Sequence, residues 1–334
     1  MALPVRVGIS LPVPPDVETT LETAAWAERE GFDGVWFADT GDADPLTLSA
    51  FVAARTRRVR IGVAVVPVYT RTPVVFGATL LALSHVAPNR FILGLGASSH
   101  AMIEGWHGVP MQRPLTRVKE TALILRRIQT GEKVDFDGEV LHTHGYRLPQ
   151  PMKSPVPIHI AALRQNMLEL AGEVGDGVVL NLFPATAFPK LMEHIAVGAA
   201  RAGKRLESLE IVCRFQVAVT DDPAAARERF RQRLAPYYAT PVYNRFLAWT
   251  GFEDAARTIA EAWRAKDRAR VMSAFPDALV DDIAVIGSAD QCRAKIAALC
   301  RAGITTPAIH SLLSEPEAVR RTFDAFTPAR FSAA

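Results

Sequence analysis

The sequence is poor in cysteine and has no segment that stays apolar over the length of a membrane span. Its three cysteines have no CxxC spacing and are odd in number, so neither a disulfide framework nor a zinc-binding cysteine pair is expected. Reduced thiols are typical of cytoplasmic proteins, and we predict that location. No apolar run approaches the ~20 residues of a transmembrane helix, and no signal peptide is apparent. We therefore expect no membrane partner.

The chain also lacks a marked excess of charge of either sign. It has 38 Lys and Arg against 35 Asp and Glu, and its formal net charge is +3. The basic residues are scattered, with their densest run at Arg55–Arg60, which argues against a nucleic-acid partner. The GxSxG and HExxH motifs are absent too, which disfavours a hydrolase and a zinc peptidase.

What the sequence does contain is an alternation of strand-like and helix-like segments along its whole length. The predicted strands are Val5–Leu11, Gly34–Phe37, Val59–Val66, Phe91–Leu95, Pro157–Ala161, Gly177–Leu182, Leu209–Val219 and Pro307–Leu313. Eight strands that alternate with helices predict an α/β fold, a (β/α)8 TIM barrel that forms one domain over residues 1–334. A doubly wound sheet of the dinucleotide-binding type is the alternative.

Two segments are longer than the connections of a barrel require, and we interpret them as insertions. The first spans about residues 131–149, with a hairpin turn predicted at Phe136–Glu139. The second spans about residues 222–284 and is mostly helical. We expect the second insertion to cover the functional site and to determine specificity.

The most informative motif follows the fourth predicted strand, where Gly94 and Gly96 precede Ser98 and Ser99. Backbone amides and small hydroxyls at the carboxyl end of a strand can approach an anion closely, because glycine has no side chain. The segment therefore predicts a phosphate or cofactor site. Position 99 is not glycine and no helix is expected to follow at once, so a dinucleotide-binding fingerprint is disfavoured. A plain strand-end turn is the other interpretation.

Polar residues follow two further predicted strands. Asp39 comes after the second strand, where it can contact a ligand or simply cap a helix. Asn166 comes after the fifth strand and can cap a helix that starts near Met167, with Arg164 adding positive charge nearby. Free amides at that helix start can bind an anion, so these residues and the serines after the fourth strand can share one phosphate.

The histidines leave several roles open. His100 and His107 lie in the loop after the fourth strand, where they can act as acid–base groups, stack on an aromatic ring or remain at the surface. His142 and His144 form an HxH pair, but neither a third histidine nor an acidic ligand is evident nearby. We predict no metal site.

Taken together, these motifs resemble the luciferase-like monooxygenase superfamily, and most closely its coenzyme F420-dependent oxidoreductases. The resemblance covers residues 5–220 well and residues 286–313 more loosely. The segments that carry it are Ala27–Trp36, Arg60–Gly62, Tyr69–Pro73, Arg90–Gly96, Ser99–Gly108, Leu170–Gly177, Ile286–Ser288 and Ala302–Ile304.

The resemblance implies a TIM barrel that holds a deazaflavin or flavin at the carboxyl ends of its strands. It implies a non-prolyl cis peptide bond at Ala64–Val65, behind the ring of the cofactor. The implied cofactor-binding residues are Asp39, Ala64, Val65, Gly96, Ala97, Ser98, Ser99, Ala161, Ala162, Leu163, Arg164, Gln165 and Asn166. The candidate catalytic residues are Asp39, Thr40, His100 and His107.

Two positions depart from the pattern of the relatives. Many deazaflavin-dependent relatives have histidine where this chain has Thr40, so a catalytic histidine is absent at that point. Relatives often have Gly-Pro where this chain has Arg164 and Gln165. Arg164 can strengthen phosphate binding through its charge or weaken it through its bulk.

The predicted function is hydride transfer between coenzyme F420 and a small organic substrate, carried out by a homodimer. An FMN-dependent monooxygenase is the alternative within the superfamily. A cofactor-binding protein without catalysis is the alternative of another class, because Thr40 replaces histidine. A sugar-phosphate aldolase is disfavoured, since no lysine lies at the end of a predicted barrel strand.

Overall fold

The computed structural model describes residues 3–12 and 16–331, and most of its strands join in one closed sheet. The strands are β1 (Gly8–Leu11), β2 (Gly34–Phe37), β3 (Arg60–Pro67), β4 (Phe91–Gly96), β5 (Val134–Asp137), β6 (His142–Tyr146), β7 (Ile158–Ala161), β8 (Gly177–Asn181), β9 (Glu210–Val219), β10 (Val285–Gly287) and β11 (Thr306–Ser311). The helices are α1 (Val17–Arg29), α2 (Pro45–Arg55), α3 (Pro73–Val86), α4 (Pro114–Gln129), α5 (Gln165–Val174), α6 (Phe188–Arg201), α7 (Pro223–Ala239), α8 (Pro241–Trp249), α9 (Glu253–Arg264), α10 (Arg268–Ser273), α11 (Asp277–Ile283), α12 (Ala289–Arg301) and α13 (Pro316–Asp324).

The barrel runs β1-β2-β3-β4-β7-β8-β9-β11 and closes where β11 pairs with β1. All of these pairings are parallel, as the helical connections require. The predicted TIM barrel is confirmed, and each predicted strand has its counterpart. The short strand β10 was not predicted; it pairs with β9 outside the closed barrel.

Local chemistry fixes where the helices begin. Asp44 accepts a hydrogen bond from the backbone N–H of Thr47 (2.8 Å), and Pro45 opens α2. Ser288 and Gln291 form a capping box at the start of α12. Each cap satisfies amides that a helix leaves without partners, so it favours a helix start at that residue.

Apolar side chains fill two layers of the barrel. The main core lies between the strands and the surrounding helices, and it includes Cys213, Cys292 and Cys300, all buried and free. A smaller cluster fills the barrel interior, formed by Trp36, Ile92, Val179, Val212 and Ala308. This interior cluster closes the lower part of the barrel, so any cavity must lie above it, toward the carboxyl ends of the strands.

The two long connections have structure of their own. Strands β5 and β6 form an antiparallel hairpin, but its turn lies at Gly138–Leu141, where the N–H of Gly138 donates to Leu141 O (2.9 Å). The predicted turn at Phe136–Glu139 was placed too early, because Phe136 pairs within the hairpin. Helices α7–α11 pack around a separate apolar cluster that contains Phe230, Tyr238 and Phe275.

Candidate functional site

A cavity of about 1900 Å³ opens at the carboxyl ends of the barrel strands. Its lining contains Asp39, Thr40, Ala64, Val65, Gly96, Ala97, Ser98, Ser99, His100, Ala161, Ala162, Leu163, Arg164, Gln165 and Asn166. The fold thus brings nearly all of the predicted site residues together. His107 does not line the cavity, but it lies near enough to Asp39 to favour the ionised carboxylate. Helices α7 and α8 contribute side chains from above.

Strand β3 contains the predicted cis peptide bond, between Ala64 and Val65 in its second half. The pairing of β3 with β4 shifts register between Val63 and Val66, around this bond. The carbonyl of Val65 accepts a hydrogen bond from the N–H of Asp39 (3.2 Å). The ends of β2 and β3 are therefore connected, and Asp39 is fixed beside the cis peptide.

Small residues form a flat wall on this side of the cavity. A Cβ atom added to Gly96 would lie 2.6 Å from Val65 Cγ2 and 3.4 Å from Ala161 Cβ, so only glycine fits there. Ala64 and Ala161 continue the wall on the neighbouring strands. A planar ring system could lie against this surface without displacing a side chain.

Asp39 is the partly buried carboxylate of the site. Burial raises its pKa, and the positive charge of Arg71 opposes that rise. The closest approach between these side chains is 3.7 Å, from Arg71 Nη1 to Asp39 Oδ2. Thr40 points its hydroxyl elsewhere, donating to Asp42 Oδ2 (3.1 Å). Asp39 therefore keeps its proton to a higher pH than an exposed aspartate does.

The loop after β4 differs from the sequence-based expectation. A π-helix, Ala101–Trp106, begins almost at once, although no immediate helix was predicted. Ser99 starts it: its carbonyl accepts from the N–H of Ile103 (2.9 Å), and its hydroxyl lies 3.4 Å from the N–H of Met102. Ser98 has a left-handed backbone, with φ of 65°. The loop is therefore tightly folded at the cavity rim.

The start of α5 also corrects a prediction. Arg164, not Asn166, is the N-cap residue, since its carbonyl accepts the first helical hydrogen bond, from Leu168 N (3.0 Å). Asn166 lies inside the first turn. The amides of Gln165 and Asn166 are among those that a helix leaves without internal acceptors, and they carry the positive end of the helix dipole.

Arg164 adds charge to this helix start. Burial and the nearby Arg245 both lower its pKa, and no ion pair of Arg164 exists within residues 3–12 and 16–331. An unpaired cation beside free amides is a setting in which an anion such as phosphate binds well. The residues after β4 and β7 thus fit a cofactor that carries a phosphate.

The sequence analysis missed the polar residues inside the barrel. Arg214, His310 and Asn181 lie in β9, β11 and β8 and line the lower part of the cavity. Arg214 donates from Nε to Ser10 Oγ (2.8 Å). The available signal was a charged residue in the middle of the apolar segment Leu209–Val219, which a buried strand does not need.

The other histidine pair lies outside the cavity. His142 Nδ1 and His144 Nε2 both approach Asp137 Oδ1, at 3.3 and 3.2 Å, on the exposed hairpin. Across the described part of the chain, no group of three or more His, Cys, Asp or Glu residues could hold a metal ion. None of the helices described there is both long and apolar enough to cross a membrane.

Comparison with known proteins places this architecture in a family. A methylenetetrahydromethanopterin reductase of Methanolobus tindarius is 30% identical over 285 residues, which are 84% of this chain and 86% of that protein. An F420-dependent glucose-6-phosphate dehydrogenase of Nocardia farcinica is 29% identical over 227 residues, 63% of this chain and 68% of that protein.

The fold has a close counterpart among solved structures. The F420-dependent tetrahydromethanopterin reductase of Methanopyrus kandleri superposes with a TM-score of 0.81 at 21% identity, covering 97% of this chain and 98% of that one. The family model for luciferase-like monooxygenases matches residues 1–306. The chain belongs to the luciferase-like monooxygenase family.

Proposed function

We propose that this protein is an oxidoreductase that transfers hydride between coenzyme F420 and a small organic substrate. One observation carries the proposal: a wall of small residues beside the Ala64–Val65 cis peptide adjoins two amide-rich strand ends and an unpaired arginine. That arrangement suits a planar ring attached to a phosphate. The kinship with an F420-dependent dehydrogenase supports the choice of deazaflavin.

The residues of the site divide into two groups in this proposal. Ala64, Val65, Gly96 and Ala161 would contact one face of the ring, and Ala97, Ala162 and Leu163 would lie at its sides. Ser98, Ser99 and the amides of Gln165 and Asn166 would bind the phosphate, with Arg164 balancing its charge. The bound deazaflavin supplies a ring carbon that gives or accepts hydride and reacts poorly with dioxygen.

In this proposal the protein itself orients the cofactor and the substrate, excludes water and holds or transfers one proton. Asp39 is the best candidate for the proton, because burial raises its pKa toward the range useful for acid–base catalysis. Thr40 cannot take the part of the histidine found in many relatives, since a hydroxyl does not titrate near neutral pH. His100 and His107 remain the alternative acid–base groups.

The test is a parallel titration of the purified protein with F420 and with FMN, read by the absorbance and fluorescence of each cofactor. We expect F420 to bind more tightly. Replacing Ser99 by Asp should abolish binding, because a carboxylate would face the phosphate. Ser99→Asn is the matched control, because asparagine has nearly the shape of aspartate without its charge. This variant loses one charged hydrogen bond to the phosphate, so its binding should weaken only roughly 10- to 100-fold.

Different outcomes select different functions. Tighter binding of FMN, with oxygen consumed during turnover, would assign the protein to the monooxygenases. Equal F420 affinity in the wild type, Ser99→Asp and Ser99→Asn would mean that the phosphate lies elsewhere. Binding of F420 without hydride transfer from any donor or to any acceptor would favour a cofactor-binding role. The homodimer and the cytoplasmic location remain predictions from the sequence.

A further inference from the structure

The upper interior of the barrel is asymmetric. Inward-facing residues of the barrel strands line the cavity above the apolar cluster, because alternate residues of a strand face the same side. On β3, β4 and β7 these residues are Ala64, Gly96 and Ala161, all small. On the strands across the barrel, β9, β11 and β1, they are Arg214, His310 and Ser10, all polar. The strand order sets each small residue opposite a polar one.

Arg214 is a cation without a counterion. Its Nε donates to Ser10 Oγ (2.8 Å), and that is the one hydrogen bond of its guanidinium within the described residues. No carboxylate of the described residues lies within 4 Å of the Arg214 guanidinium. Burial, together with the like charge of Arg233, lowers its pKa to about 10. The group nevertheless stays charged at neutral pH.

Two polar side chains near Arg214 also have atoms without a hydrogen-bond partner among the described residues. Buried His310 has no hydrogen-bond partner for Nδ1, and Asn181 has none for Oδ1, within the residues described. Burial lowers the pKa of His310, and the charges of Arg214 and Arg233 lower it too, so the ring is neutral at pH 7. Among the residues that the structure describes, Arg233 hydrogen-bonds to one group, the backbone carbonyl of Leu312 (3.3 Å). Two cations and a neutral histidine thus converge on one part of the cavity.

A purely structural role does not account for this arrangement. Arg214 is partly removed from water, and an unpaired charge in such a position is costly, so a neutral side chain of similar volume would be tolerated at least as well. The Arg60–Glu210 pair at the barrel base shows the contrast, because there a partly buried arginine has a bidentate carboxylate partner. A guanidinium fork with free donors matches the geometry of a carboxylate or phosphate group.

We propose that Arg214, supported by Arg233 and His310, forms an oxyanion subsite that binds a carboxylate or phosphate group of the substrate. The subsite would hold the substrate across the cavity from the wall formed by Ala64, Gly96 and Ala161. Its use in hydride transfer rests on the proposed function; the existence of the anion site does not. The substrate class is therefore a small organic acid or a phosphorylated compound, rather than a neutral alcohol or ketone.

The test uses the full-length protein and simple anions as probes. Arg164→Met serves as the background, since it removes the unpaired arginine at the proposed cofactor-phosphate site. Inorganic phosphate and acetate are titrated at constant ionic strength against chloride, and the melting temperature and tryptophan fluorescence are followed. We expect saturable binding of at least one oxyanion, weakened roughly 10- to 100-fold when Arg214→Met is added. Whether phosphate or acetate binds distinguishes a phosphorylated substrate from a carboxylic acid.

A second readout separates a binding role from a structural one. Without oxyanions, Arg214→Met should melt at or above the temperature of its parent, because an unpaired charge has been removed. A markedly lower melting temperature, or anion affinity unchanged by the substitution, would overturn the proposal. If Arg214→Met fails to fold, Arg233→Met should still weaken anion binding, and its failure to do so would count equally against the subsite.

The cofactor titration keeps this proposal separate from the previous one. Arg214→Met should bind F420 as the wild type does, since the residue lies across the barrel from the wall and from α5. If the wild type does not bind F420, the proposed function fails while the anion titration still gives a result. If F420 binds and neither phosphate nor acetate does, the subsite is wrong and the cofactor assignment stands.

Discussion

At the scale of single residues, Gly94 determines how closely β3 and β4 approach beside the cis peptide. A Cβ atom at this position would overlap the carbonyl oxygen of Val63 and lie 2.9 Å from Val65 Cγ1. Glycine inside a strand usually marks such a close backbone approach. The geometry of the ring wall therefore depends on a residue that does not itself line the cavity.

Replacing Gly94 by Ala should destabilise the protein and weaken cofactor binding together. The added methyl group would meet backbone, which cannot rotate away, so we expect a loss of roughly 1–3 kcal/mol, as for other overpacked sites. Chemical denaturation and F420 titration measure the two effects. Gly105→Ala is the matched control, because no atom lies within 4 Å of a Cβ there. Equal stability of the two variants would contradict this account of β3 and β4.

The limits of sequence reasoning are clearest for individual side chains. Strand-end residues such as Asp39 and Ser99 were found, because parallel strands bring their carboxyl ends to one rim. Asn166 was mistaken for a cap, since the sequence does not reveal that the chain turns helical already at Gln165. Arg214 was missed, because periodicity identifies a buried strand but not which buried positions face a cavity.

At the scale of elements, the β5–β6 hairpin is attached to the barrel through one buried carboxylate on α4. Glu120 accepts hydrogen bonds from three consecutive backbone amides of the hairpin turn: Glu139 (2.6 Å), Val140 (3.1 Å) and Leu141 (2.8 Å). Turn amides would otherwise need water or backbone partners. The insertion is therefore fixed at its tip as well as at its base.

Glu120→Gln should loosen this hairpin while leaving the barrel folded. A carboxamide has one accepting oxygen in place of two, so at least one turn amide loses its partner, at a cost of about 1–3 kcal/mol. Hydrogen exchange should become faster at residues 139–141, and denaturation should show a modest loss of stability. Glu132→Gln is the control, because Glu132 is exposed on the same segment. Unchanged protection of the turn would show that the carboxylate does not hold it.

Elements were predictable to the extent that they follow a hydrophobic pattern. The barrel strands alternate with amphipathic helices, and this order alone identified the fold. Strand β10 has three residues, too few for a pattern. The π-helix after Ser99 has an irregular spacing of apolar residues, with only Ile103 buried, so its sequence resembles a loop.

At the scale of the whole molecule, one buried network ties together strands from opposite sides of the barrel base. Glu210 in β9 accepts two hydrogen bonds from Arg60 in β3, at 2.8 and 2.6 Å, and one from Thr306 in β11 (2.5 Å). His159 in β7 lies 3.7 Å away. This network of charged and polar side chains therefore helps to hold the barrel closed at the end opposite the cavity.

The ionisation of Glu210 makes the stability that this network provides depend on pH. Burial alone would raise its pKa, but the hydrogen bonds from Arg60 and Thr306 and the positive charge of Arg60 outweigh burial and lower it to about 2. The value in the unfolded chain is near 4.5. A lowered folded pKa stabilises the folded state fully above about 4.5, and that contribution is lost as the pH falls toward 2.

Glu210→Gln should therefore destabilise the protein at neutral pH and flatten its acid response. At pH 7 the substitution leaves the partly buried Arg60 without its counterion, at a cost of about 3 kcal/mol, the low end for a broken buried pair. Between pH 5 and pH 2 the wild type should lose on the order of 3 kcal/mol through this one group, and the variant should lose correspondingly less. Urea denaturation at a series of pH values measures both effects.

Glu18→Gln is the matched control, because Glu18 also pairs bidentately with an arginine, Arg55, but on the exposed surface. Exposed pairs contribute little, so its curve should follow that of the wild type. Parallel curves for the wild type and Glu210→Gln below pH 5 would mean that the barrel base does not control acid unfolding.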